Sequence, residues 1–94
     1  TGTWLAIGSI IVQDTAGSVD IDAKLWDGTT VISSAIIRTA AAGATAIITL
    51  SGIITSPAGN IRISAKDATS VNGLIRANRS GESKDSTLSV VRIG

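Results

Sequence analysis

Apolar and polar residues alternate in short blocks separated by turn residues, most clearly where Val19, Ile21, Ala23 and Leu25 interleave with Ser18, Asp20, Asp22 and Lys24. A period of two sends successive side chains to opposite faces of an extended strand, so this block predicts one face in a core and one in water. The block before it, Thr3 to Val12, carries apolar residues at both parities and reads as a strand buried on both faces, with Asp14 to Gly17 as the turn between them. Asp27-Gly28 is a strong hairpin signal, because Gly accepts the positive φ of a tight turn and Asp tolerates it. A third strand follows, from about Thr29 to Arg38, then a small-residue loop, Thr39 to Thr45. The Ala run in that loop is too short, and too close to Gly43, for more than a turn of helix.

Ala46 to Leu50, continued past Gly52 to Thr55, predicts a fourth strand, and Ser56 to Asn60 a turn holding the only Pro. Ile61 to Lys66 alternates again as a fifth strand, Leu74 to Asn78 forms a short sixth, and Thr87 to Ile93 closes the chain. Arg79 to Ser86 is the most hydrophilic stretch and reads as an exposed loop. Seven short strands at roughly ten-residue spacing predict an all-β, antiparallel β-sandwich as a single domain over residues 1–94.

Composition sharpens this picture. With 44% hydrophobic residues, 2% aromatic and a mean hydropathy of +0.40, the apolar surface comes from Ile, Val, Leu and Ala, which pack well on pleated sheets. So small a unit has limited core, and the surplus points to burial against other subunits. The net charge of +1 is scattered, with no basic stripe and interleaved aromatics for nucleic acid. The apolar runs are too short for a helical membrane span, and no signal-peptide pattern is present. The chain opens on Thr1, which suggests a processed product or the ordered part of a longer protein.

Four landmarks fall in a telling order: Gly2-Thr3-Trp4 opening a strand, Lys24 to Thr29 at a hairpin, Ile48 to Gly52 at a strand end, and Ser86 to Ile93 at the terminus. Together they resemble the later strands of the jelly roll shared by complement globular heads and tumour necrosis factors. Their Ala-, Thr-, Ser- and Ile-rich wording is similar to bacteriophage fibre, spike and head-decoration versions. The resemblance implies a non-enzymatic virion module, a homotrimer with its terminal strand near the threefold axis, and distal loops free for host attachment. Other virion proteins, and a host-surface glycan, are the partners it implies. The family usually has further strands before the position that Gly2-Thr3-Trp4 matches, which here would lie upstream or be missing.

Candidate chemistry is sparse. Without His or Cys the usual activators of acid–base and nucleophilic catalysis are missing, and the adjacent Ser83 and Lys84 form no oriented pair, so no catalytic residue is assigned. Asp20, Asp22 and Asp27 lie near one another on a strand and its end, yet a solvated strand face explains them without a metal or any other cofactor. Trp4, Ala6, Leu88 and Val90 are the expected subunit-interface residues. Trp26 shares the parity of the polar residues of its strand and is the best candidate for ligand contact, with Arg79 and Lys84 beside it as basic candidates. Arg76, Arg79, Lys84 and Arg92 gather late in the chain, where Glu82 and Asp85 dilute them. Two rival readings are a carbohydrate-binding module with Trp26 as platform and a capsid cement protein without a receptor role.

Overall fold

Each predicted block forms a strand in the computed structural model, which describes residues 2–67, 73–76, 81 and 84–94, so that Ala77 and Asn78 of the expected sixth strand lie outside the described residues. The strands are β1 (Thr3–Asp14), β2 (Asp20–Trp26), β3 (Val31–Arg38), β4 (Thr45–Thr55), β5 (Arg62–Asp67), β6 (Gly73–Arg76) and β7 (Thr87–Arg92). The fold is all-β: seven strands in two antiparallel sheets, a β-sandwich with no helix among the described residues. At about 3.3 Å per residue the 12-residue β1 runs close to 40 Å and sets the long axis of a molecule measuring 43 × 28 × 16 Å.

In the first sheet β1 is central. β4 pairs along one side from Thr3↔Thr55 to Gln13↔Thr45, while β7 (Trp4↔Arg92 to Ser9↔Thr87) and β6 (Ile11↔Arg76 to Asp14↔Gly73) lie end to end along the other. Where β7 stops and β6 begins, Ser86 fills the gap. Its hydroxyl accepts the Ile11 N–H at 3.0 Å and donates to the Arg76 carbonyl at 2.6 Å. The segment around Ser86, expected as open loop, is therefore partly fastened to the sheet. The second sheet runs β3-β2-β5, with a register shift between Leu25 and Trp26.

The core lies between the sheets. Ala6, Ile10, Val12, Ile48 and Leu50 face Val19, Ile21, Ala23 and Leu25, with Ile32, Ile37 and Ile63 packed at its margins. Small residues dent the inner face of the first sheet. Gly52 sits across from Ala6, and a Cβ at Gly52 would land on Ile32 Cγ2, while one at Gly8 would land on Ile63 Cδ1. Isoleucines of the second sheet thus enter hollows left by the glycines of the first, as close packing requires.

The expectation that the first strand is buried on both faces needs correction. Trp4, Ala6, Gly8, Ile10 and Val12 share the inward parity, but Leu5, Ile7 and Ile11 point away from the second sheet, and Ile7 is 49% exposed. Among the described residues no strand stacks on that side, so the apolar residues of the opposite parity stay partly or largely at the surface. Ala6 is likewise corrected from interface to core: it is fully covered by its own chain and has no surface left for a partner.

The two glycine hollows differ in what surrounds them. Ile32 Cγ2 is fixed by a stiff β-branched χ1, whereas Ile63 Cδ1 is the free end of its side chain. Gly52→Ala is expected to cost about 1–3 kcal/mol in chemical denaturation and Gly8→Ala less, the reverse order contradicting the packing described.

Candidate functional site

The two sheets present opposite outer faces. On the first, the row Ile53–Leu5–Val91 crosses all three strands, flanked by Ser51–Ile7–Ser89 and, further along, by Thr49–Ser9–Thr87 and Ile47–Ile11–Arg76. Ile7, Ile47, Ile53 and Val91 are 49, 62, 60 and 57% exposed. Arg76 is the only charged side chain on this face among the described residues, and it donates to Gln13 Oε1 at 3.4 Å. Neighbouring hydroxyls pair with each other across the strands, Thr3 with Thr55 at 3.1 Å and Ser9 with Thr49 at 3.3 Å. The surface is therefore nearly uncharged, its exposed aliphatic residues set among Ser and Thr hydroxyls.

Leu88 and Val90 have the other parity. They pair with Gly8 and Ala6 and point between the sheets, yet each stays 37% exposed along the β7 side of the sandwich. Trp4, half-buried, has the Arg92 guanidinium 5.9 Å from its ring centroid. The sequence singles out Leu88 and Val90; Val91 and Ile53 lie on the outer face instead. The alternation of Val91 with Leu88 and Val90 is the signal that separates them.

The outer face of the second sheet is charged. Asp20, Asp22, Lys24 and Trp26 project from β2, Ser34, Ile36 and Arg38 from β3, and Arg62, Ser64 and Lys66 from β5. Strand spacing places Lys24 and Trp26 on one side two residues apart, and the Lys24 Nζ lies 3.5 Å from the indole centroid. Arg62 approaches the same ring at 5.7 Å, and the indole N–H donates to Ser64 Oγ at 2.9 Å. Trp26 faces outward as its parity predicts, but the ring face under Lys24 is not open for a sugar to stack on. Between Lys24 and Lys66 the three strands form a groove of 630 Å³, floored by Ala23, Ala35 and Ala65.

The remaining candidates do not gather here. Lys84 lies near Ser86 at the edge of the first sheet, and Arg79 falls outside the described residues, as do Glu82 and Ser83. Arg76 and Arg92 pair with opposite halves of β1, Ile11 and Trp4, and so form no common patch. Asp20 is held by Arg38 at 3.0 Å.

Asp27 anchors the end of the site next to Trp26. Its Oδ1 accepts the N–H groups of Thr29 at 2.9 Å and Thr30 at 2.6 Å, closing the turn in which Gly28 has φ +94°. Its Oδ2 accepts the Ala58 N–H at 2.8 Å, tying the β2–β3 turn to the β4–β5 loop. These donors hold the carboxyl below its ordinary 3.8, the Thr30 N–H contributing most, then Ala58 and Thr29, with desolvation opposing them. No family model, curated protein or solved structure matches the chain.

The lowered pKa fixes a sign. A carboxyl more acidic folded than unfolded contributes stability that is present above its unfolded value and is lost as pH falls through the folded one. Asp27→Asn keeps one acceptor but turns an amide toward the Ala58 N–H. Its thermal midpoint at neutral pH should fall by several degrees, and the acid loss of stability below about pH 4 should shrink relative to the unsubstituted chain. Identical pH profiles would contradict the clamp.

Proposed function

We propose that the chain is a non-enzymatic structural module that assembles with copies of itself through the outer face of the first sheet, as a fibre, spike or head-decoration element of a bacteriophage virion. The observation carrying this reading is that face: Leu5, Ile7, Ile53 and Val91 form one contiguous apolar surface almost free of charge. The core lies between the sheets, and these residues stand outside it. Their exposure costs solubility unless another surface covers them.

The jelly-roll resemblance supports the trimer in particular. The terminal strand β7 contributes Val91 directly to this face, where the family's terminal strand lies near the threefold axis. The strand pairing also suits a jelly roll, since the chain crosses between sheets at β1–β2, β3–β4, β4–β5 and β5–β6, and places sequence-distant strands side by side. Attachment to a host surface, and a place among other virion proteins, extend the same reading.

Native mass measurement and sedimentation at micromolar concentration should give three times the chain mass. Ile53→Glu puts a charge at the β4 end of the apolar row and should reduce the mass to that of one chain, with the circular dichroism of the folded monomer unchanged. A stable monomer from the unsubstituted chain would remove the proposal.

A further inference from the structure

The groove on the outer face of the second sheet has a ligand chemistry of its own, independent of self-association. Its 630 Å³ lies within the range of small-ligand sites, about 300–1,000 Å³. Lys24 and Lys66 enter it from adjacent strands, and among the described residues neither is in an ion pair. Four cations, Lys24, Arg38, Arg62 and Lys66, stand on this face against two carboxylates, Asp20 and Asp22. Only Arg38 and Asp20 satisfy each other. The groove therefore keeps a positive surplus although the whole chain is only +1.

The groove is also equipped for hydroxyls and for an apolar surface. Asp22 is exposed there without an ion-pair partner among the described residues and accepts hydroxyl donors. Ser64 already accepts the indole N–H, which leaves its own proton to donate. Ser34 stands opposite Ser64 across Lys24, and Ile36, 64% exposed, supplies an aliphatic wall beside Asp22. The cation–π contact pins Lys24 against Trp26, so less side-chain freedom is lost when an anion arrives.

We infer that this groove binds acidic saccharides. Lys24 and Lys66 meet the acidic group, Asp22, Ser34 and Ser64 meet ring hydroxyls, and Ile36 meets the apolar face of a sugar ring. In this arrangement Trp26 acts as a support for Lys24 at the rim instead of a stacking platform. A neutral sugar would lose the charge-assisted contacts, and a simple inorganic anion would lose the rest.

The test titrates the full chain with sialyllactose, oligogalacturonate, a sulfated disaccharide, lactose and inorganic sulfate, read by calorimetry and by amide shifts in a two-dimensional NMR spectrum. At least one acidic sugar should bind at least about tenfold more tightly than lactose and than sulfate, with the shifts centred on Ala23, Ala35 and Ala65. Lys66→Ala should weaken it about tenfold, Lys66→Arg should restore most of the loss, and Ile53→Glu should leave it unchanged. Unaltered thermal midpoints would show that each variant remains folded. Equal binding of lactose, shifts centred elsewhere, or no binding of any acidic sugar at millimolar concentration would overturn the assignment. A monomeric chain that still bound the acidic sugar would separate this inference from the assembly reading.

Discussion

β1 carries apolar side chains at neighbouring positions, and the two-residue period of an extended chain sends them to opposite faces of its sheet. Only one of those faces is covered by the second sheet. Burying Ala6, Ile10 and Val12 against Leu25 and Ile21 obliges Leu5, Ile7 and Ile11 to point outward. A slip of one residue would exchange the two sets and leave the core with the wrong partners, so the register is fixed by the core and the outer face inherits what remains. β4 and β7 obey the same parity, which is why Ile53 and Val91 line up with Leu5 in one row. The apolar exterior is a consequence of how the interior is built.

The second sheet solves the same problem differently. β2 alternates cleanly, so its outer face is left to charge and hydroxyls, and the short-range pairs on it are strand neighbours: Lys24 on Trp26, Asp20 with Arg38. Asp27 then fixes the turn beyond Trp26 by capturing N–H groups from two separate loops. The two outer faces thus differ in character, one nearly uncharged and the other charged. An uncharged face favours contact with another protein, and a cationic groove favours small anionic ligands.

The strand order of the chain is legible in the sequence because turn residues punctuate it and because β2 and β5 alternate visibly. Which face of β1 lies inside is not legible, since an apolar run at both parities reads equally as a doubly buried strand. The same ambiguity hides that Ala6 is core and that Val91 faces outward while Leu88 and Val90 face the second sheet. Gly8 and Gly52 carry no side-chain signal, yet they form the hollows that receive Ile63 and Ile32. Trp26 is found by parity, while its engagement by Lys24 needs only the recognition that residues two apart share a strand face. Ser86, lost within a hydrophilic stretch, serves as a bridge between β6 and β7 that only the pairing of β1 reveals.

The central claim is that the outer face of the first sheet is covered in the assembled protein. The chain contains no Cys, so a single introduced thiol reports on one position without interference. Thiol-labelling rates of Ile53→Cys and Ile36→Cys, compared at high and low protein concentration, test the claim most directly. Both positions are exposed in the single chain, at 60 and 64%. Slow labelling of Ile53→Cys that accelerates on dilution, beside fast labelling of Ile36→Cys throughout, is the expected result; equal and concentration-independent rates at the two positions would contradict it.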